Sequence, residues 1–98
     1  MTPAMTEPAL TPLDTRRRRL LYRATHRGSY ENDLLIGGFV SRHLDSLTES
    51  QIDALEAVME ASDADLADWL TGRRPVPQAE DSAMLRAIRA FALDRGSR

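Results

Sequence analysis

The stretch that decides the fold is THRGSYENDLLIGGFV, Thr25–Val40, in which a polar turn separates two segments of helical character. Gly28 is suited to end a helix in the left-handed conformation, because glycine has no Cβ to clash there. Ser29 is a favourable N-cap for the helix that follows. In that helix, apolar residues fall on one face: Leu35, Ile36, Phe39, Val40 and Leu44. The stretch therefore predicts two helices that meet at a tight corner.

The two helices at this corner differ in their apolar residues and in their glycine content. Asp14 or Thr15 is expected to cap the first one, which carries a narrow apolar stripe of Leu20, Leu21 and Ala24. The pair Gly37–Gly38 costs the second helix about 1 kcal/mol per glycine relative to alanine. Such small residues also let a neighbouring helix approach, so the sequence favours a continuous second helix.

Three more helices are predicted after the corner. Thr48 and Gln51 form a capping-box pattern for the third helix, and either Ser62 or Asp63 is expected to cap the fourth. Gly72 ends the fourth helix, and the last is predicted from about Asp81. The residues expected to face inward are Ile52, Leu55, Val58, Met59, Leu66, Trp69, Leu70, Met84, Leu85, Ile88 and Phe91. No strand-like alternation occurs, so we predict an all-α fold, a small bundle of five short helices.

The chain has 98 residues, which is enough for one small domain. Residues 1–13 contain three prolines and are predicted to be a disordered N-terminal tail. The helical domain is expected over residues 14–94, with a short C-terminal tail at 95–98. With no secretory or mitochondrial leader pattern and no apolar run near 18 residues, we expect a bacterial cytoplasmic location rather than the mitochondrial matrix.

Composition excludes several classes of function. The chain lacks cysteine, which rules out disulfides, Cys-ligated zinc and iron–sulfur sites, and its net charge of −2 gives no general attraction to nucleic acid. His26 and His43 have no partner at metal-ligand spacing. The sequence contains no phosphate-binding glycine loop and no nucleophile motif. We therefore expect no enzyme, no metal site and no tightly bound cofactor.

Two basic stretches raise the alternative of a small helix-turn-helix-like regulator that binds nucleic acid. The arginines of Arg16–Arg19 wrap around a whole helical turn rather than forming a stripe, which favours a solvated helix start or a protein-docking patch. The segment DADLADWLTGRRPVP, Asp63–Pro77, resembles a repressor recognition helix, but its three aspartates would be repelled by phosphates. The sequence thus favours a protein partner over nucleic acid.

The corner itself carries the motif Arg27-Gly28-x-x-Glu31. Each residue has a local explanation, since Arg27 suits a helix end and Glu31 suits a helix start. Together they place a cation and an anion beside a rigid turn, and both side chains are expected to point to solvent. Such an arrangement is suited to binding the charges and backbone of another protein.

The order of the motifs along the chain resembles the SdhE-type succinate dehydrogenase assembly factors, also called flavinators. The resemblance covers about Thr15 to Leu93. It rests on Arg27-Gly28-x-x-Glu31 with Asp33, on the L-x-x-L pattern at Leu44–Leu47, and on DADLADWLTG with its Trp69-Leu70.

This resemblance implies a five-helix bundle that binds the flavoprotein subunit of succinate dehydrogenase, and in some bacteria that of fumarate reductase. It implies that the factor promotes covalent attachment of FAD to a histidine of this client, so that FAD belongs to the client. Arg27, Gly28 and Glu31 would face the client, with Asp33 beside them. An antitoxin-like interaction module with another partner remains an alternative.

Overall fold

A computed structural model describes residues 11–96 of the chain. Its five helices are α1 (Pro12–Thr25), α2 (Tyr30–His43), α3 (Glu49–Val58), α4 (Asp63–Thr71) and α5 (Ala83–Gly96). Single 3-10 turns cover Leu44–Ser46 and Gln78–Glu80. No strand occurs in this part of the chain, so the predicted all-α class is confirmed. No helix formed by residues 11–96 combines the length and the apolar character needed to cross a membrane.

The first helix begins earlier than predicted. Its N-cap is Thr11, whose hydroxyl accepts from the backbone nitrogen of Asp14 at 3.0 Å, while the Asp14 carboxylate accepts from Thr11. The prediction that Asp14 or Thr15 caps this helix is therefore wrong. Pro12 is the first residue of the helix. A backbone N–H at that position has no acceptor within the helix, so the N–H that proline lacks is not needed there. The rest of the predicted tail, residues 1–10, lies outside the described residues.

The other predicted helix ends agree closely with the structure. Ser29 caps α2, Thr48 and Gln51 form the capping box of α3, and Ser62 caps α4. Gly72 ends α4 in the left-handed conformation, with φ +81°. The last helix begins at Ala83, two residues later than expected, because a 3-10 turn precedes it and the Ser82 hydroxyl accepts from Leu85 N at 3.0 Å.

All five helices contribute to one apolar core. The fully or nearly buried side chains are Leu20, Ala24, Ile36, Phe39, Val40, Leu47, Ile52, Leu55, Met59, Leu66, Trp69, Leu70, Leu85, Ile88 and Ala92. Val58, Met84 and Phe91 pack against this core while partly exposed. A Cβ added to Gly37 would lie 2.7 Å from Thr25 Cγ2 and 3.3 Å from the Ala24 carbonyl oxygen. The close helix approach predicted for Gly37–Gly38 is thus confirmed at Gly37, and the structure shows that the approaching helix is α1.

Candidate protein-binding corner

The connection between α1 and α2 turns at Gly28, which has φ +92°. This is the left-handed backbone that the sequence predicts at this position. A Cβ added to Gly28 would meet no atom within 4 Å, so the space above its backbone is open. Another molecule can therefore contact the backbone of this corner directly.

Arg27 turns inward beneath this corner. Its Nε donates to Asp63 Oδ1 at 2.6 Å, its Nη1 to the Met59 carbonyl at 3.0 Å and its Nη2 to the Ala61 carbonyl at 3.0 Å. Only 12% of the side chain is exposed. The prediction that this side chain points to solvent is wrong, because carbonyls at and after the end of α3 lack helical partners and attract a cation. Arg27 thereby ties the α1–α2 corner to the α3–α4 connection.

Asp63 and Asn32 complete this internal anchor. The Asn32 side chain is fully buried, and its Nδ2 donates to Asp63 O at 2.9 Å and to Asp63 Oδ1 at 3.1 Å. Burial alone would raise the pKa of Asp63, but the hydrogen bonds from Arg27 and Asn32 outweigh it and hold that pKa below its ordinary value. The first residue of α4 is thus bound as a carboxylate to the corner.

Asp33 fastens the corner from the other side. Its Oδ1 accepts from the backbone nitrogen of Arg27 at 2.8 Å, which spans the turn around Gly28. The backbone nitrogen of Asp33 donates to the Ser29 carbonyl at 2.8 Å. Asp33 therefore fixes the backbone geometry of the predicted site.

Glu31 lies on the exposed side of the corner. It accepts from Arg73 at 3.1 Å, and 45% of the Glu31 side chain and 56% of the Arg73 side chain are exposed. Arg73 and Arg74 also bind Asp68, and Arg74 binds Asp65 at 2.7 Å. Hydrogen bonds from Arg74 and Arg73 lower the pKa of Asp68. We call these five residues the charged rim: Glu31, Asp65, Asp68, Arg73 and Arg74.

These ion pairs bear on the nucleic-acid alternative. The two arginines after Gly72 are each bound to carboxylates of the charged rim, which lowers their attraction for phosphates. In the run Arg16–Arg19, Arg16 pairs with Asp53 and Glu56 at 2.9 Å, and Arg17 donates to the Leu47 carbonyl at 2.8 Å. Half of the run is thus used in packing α1 onto the bundle.

Residues 11–96 contain no group of three or more His, Cys, Asp or Glu side chains that could hold a metal ion. The corner itself offers hydrogen-bonding groups, charge and open backbone.

Sequence reasoning brought Arg27, Gly28, Glu31 and Asp33 to one corner, and the structure places all four there. It missed Asn32, Asp63 and Arg73. Asn32 carried a usable signal, because it lies four residues before Ile36 and eight before Val40 on the buried face of α2. A polar side chain in that stripe indicates an internal hydrogen-bonding role.

Comparison with known sequences identifies the family. The Sdh5 family, described as flavinator of succinate dehydrogenase, matches residues 18–92. The chain is 47% identical over 76 residues to FAD assembly factor SdhE of Acetobacter pasteurianus, an alignment that covers 78% of this chain and 70% of the relative.

Mitochondrial proteins are similar as well. Succinate dehydrogenase assembly factor 2 of Candida glabrata is 34% identical over 84 residues, covering 82% of this chain and 55% of the relative. Assembly factor 2-A of Drosophila ananassae is 36% identical over 80 residues, covering 80% and 51% respectively. The chain thus spans about half the length of these mitochondrial relatives. Since the family match extends over more than half of the chain and the resemblance is confirmed, this protein belongs to the Sdh5 family of succinate dehydrogenase flavinators.

Proposed function

We propose that this protein is an assembly factor that binds the flavoprotein subunit of succinate dehydrogenase and promotes covalent attachment of FAD to it. Family membership and the names of the relatives support this function. The single observation that carries the docking role is the open backbone at Gly28, held rigid from beneath by the Arg27–Asp63 anchor. A rigid contact loses little conformational entropy when a partner binds.

The four predicted site residues divide into two roles in this proposal. Gly28 lets the client backbone approach, and Glu31 accepts a donor from the client. Arg27 and Asp33 are positioning residues, because their polar atoms already hold the corner together. A client contact by Arg27 stays a prediction, and it would use the guanidinium N–H groups that the internal bonds leave over.

The chemical step is proposed to take place within the client. A bond forms between the flavin methyl carbon and a histidine nitrogen, and the C–H and N–H bonds break. The two protons leave and the two electrons pass into the flavin, which an external acceptor such as a quinone or dioxygen reoxidises. The factor supplies no atom. It binds the client conformation in which flavin and histidine are aligned, and so raises its population.

We propose that the factor does not bind FAD tightly by itself and is not an enzyme. A groove of about 890 Å³ between α2, α3 and α5 has an apolar side formed by alanines, Met84 and two phenylalanines and a polar side with His43, Ser50 and Gln51, and no arginine lines it. A smaller pocket of about 420 Å³ is lined by Arg74, Arg86 and Arg89, but Arg74 is already paired with Asp65 and Asp68, and Arg86 with Asp81. Equilibrium dialysis of the purified chain against FAD tests this proposal, which fails if FAD is retained at micromolar concentrations.

The compartment and the range of clients also belong to the proposal. We propose a bacterial cytoplasmic location, because the bacterial relative is more similar than the mitochondrial ones. Fumarate reductase flavoprotein is proposed as a second client. Cell fractionation and affinity capture from the source cells test both points.

The decisive experiment substitutes Gly28. Gly28→Arg adds backbone strain of about 1–2 kcal/mol at positive φ and fills the open space above the corner. We expect the variant to fold, to lose client binding, and to fail in restoring flavin fluorescence of the client subunit in cells that lack the factor.

Two controls separate strain from blockage. Gly28→Ala adds the strain with little bulk, and Gly72→Ala adds comparable strain at another positive-φ glycine. Both should lower stability while retaining most of the client binding. Normal flavin attachment with folded Gly28→Arg would rule out the docking role of this corner.

A further inference from the structure

The α1–α2 pair exposes more large apolar side chains than the rest of residues 11–96. The exposed fractions are 63% for Tyr22, 80% for Tyr30 and 42% for Leu34, whereas Leu93 on α5 is the other large apolar residue of this kind. Single exposed apolar residues are ordinary, but a group of them on neighbouring helices indicates a contact surface.

Helical spacing places these side chains on one outer face. Tyr22 and His26 are four residues apart and their rings stack at 3.9 Å, while Tyr30 and Leu34 are four residues apart on α2. Thr25 follows Tyr22 by three residues, and Gly37 follows Leu34 by three. Because Thr25 and Gly37 are in direct contact, Tyr22 and Leu34 flank the same helix–helix junction.

Arginines lie beside the α1 part of this face, since Arg18 precedes Tyr22 by four residues and therefore lies on the same side of α1. Arg18 and Arg19 are exposed and form no ion pair with another described residue, and Arg23 reaches Glu60 only at 3.9 Å. By contrast, Arg16, Arg73 and Arg74 each pair with carboxylates at 3.1 Å or less. A local excess of arginine in a chain of net charge −2 indicates a partner surface with carboxylates.

This outer face is continuous with the corner, since Tyr30 lies between Gly28 and Glu31. We propose that Tyr22, Tyr30 and Leu34, with Arg18 and Arg19 at the edge, form a second contact surface for the same client. Its counterpart is an apolar patch bordered by aspartate or glutamate on the flavoprotein subunit. This inference rests on the proposed function and names the chemistry of the partner surface.

The apolar half of the surface is tested with the double substitution Tyr30→Ser and Leu34→Ser. The matched control is Leu93→Ser, which removes an exposed leucine from α5. Affinity for the purified flavoprotein subunit is measured by titration calorimetry, and folding by thermal unfolding. We expect the double variant to keep its unfolding temperature and to bind about tenfold or more weakly, while the control binds normally.

The charged half is tested with Arg18→Gln and Arg19→Gln together, against Arg86→Gln on α5 as control. We expect the pair of substitutions to slow association and to flatten its dependence on salt concentration, because steering by these charges is lost. The control should leave both quantities unchanged.

Three results would overturn the inference in distinguishable ways. If the Tyr30/Leu34 variant binds like the Leu93 control while Gly28→Arg abolishes binding, the second surface is wrong and the corner stands. If the unsubstituted chain does not bind the subunit, the proposed function fails as well. If Arg18→Gln with Arg19→Gln loses binding to phosphatidylglycerol vesicles or duplex DNA but keeps client affinity, the face belongs to lipid or nucleic acid.

Discussion

Two arginine–carboxylate pairs lie at the same corner and differ in what surrounds them. Arg27 and Asp63 meet at 2.6 Å, with Arg27 only 12% exposed, whereas Arg73 and Glu31 meet at 3.1 Å with both side chains about half exposed. The first pair joins the α1–α2 corner to α4, and the second lies in the charged rim. The comparison separates the residues that build the corner from those that a partner can reach.

The two pairs differ in what else each arginine binds. Arg27 also donates to two backbone carbonyls. Without Arg27 these carbonyl oxygens would be shielded from water and would have no hydrogen-bond donor. An exposed pair such as Arg73–Glu31 contributes little to stability, because water and salt screen it and two long side chains lose mobility. Removing one partner should therefore have very different consequences at the two pairs.

The largest effect is expected from Arg27→Ala. It leaves the carbonyls of Met59 and Ala61 without their side-chain donor and Asp63 with Asn32 alone, and we expect it to lower the free energy of unfolding by about 3 kcal/mol. Arg27→Lys keeps the charge but not the three-donor geometry, so it should recover only part of the loss. Urea unfolding followed by circular dichroism measures both. If Arg27→Ala is as stable as Arg73→Ala, the anchor does not contribute to stability.

A smaller, pH-dependent effect is expected from Asp63→Asn. Because folding lowers the pKa of Asp63, its contribution to stability is present above the unfolded pKa, near 3.9, and is lost as pH falls through the folded pKa. At neutral pH we expect a loss of about 1 kcal/mol, a modest value because 36% of this side chain is exposed.

The control for this substitution is Asp45→Asn, which removes an exposed carboxylate outside the corner and outside the charged rim. Unfolding curves between pH 7 and pH 3 should show Asp63→Asn and the unsubstituted chain converging in acid. A constant difference across this range would mean that the pKa of Asp63 does not couple to folding.

Much of the fold follows from local sequence. Ser29, Thr48 and Gly72 mark helix ends through side-chain or backbone chemistry that acts within three or four residues, and each does so in the structure. The start at Thr11 differs from the prediction because a proline stops a helix in its interior but is favoured at its first position, where Pro12 lies. This helix start could therefore have been predicted from the local sequence alone.

The hydrogen-bond partners of the Arg27 side chain could not be predicted from the local sequence. Its acceptors, Met59 and Ala61, lie 32 and 34 residues further along the chain, and they are backbone atoms that no side-chain pattern reveals. An arginine is favourable near the end of any helix because of the helix dipole. The sequence therefore offers a local reason for Arg27 and gives no sign of its contacts with distant residues. Which side of a corner is buried depends on the packing of α3 and α4, which local spacing does not specify.

The smallest change in stability is expected at the exposed pair, where Arg73→Gln and Glu31→Gln should leave the unfolding midpoint unchanged. Their effects on client affinity should have opposite directions. In the free chain Arg73 occupies Glu31, so a client donor must compete with it. Arg73→Gln then frees the carboxylate and binding becomes equal or about two- to threefold tighter, whereas Glu31→Gln weakens binding by about tenfold.

Titration calorimetry of both variants and of the double variant measures this competition. If both single substitutions weaken binding equally and the double adds nothing, the client contacts the Arg73–Glu31 pair as a unit. Arg73, which follows the end of α4, would then be a binding residue in its own right. The client would in that case contact the segment after α4 as well as the α1–α2 corner.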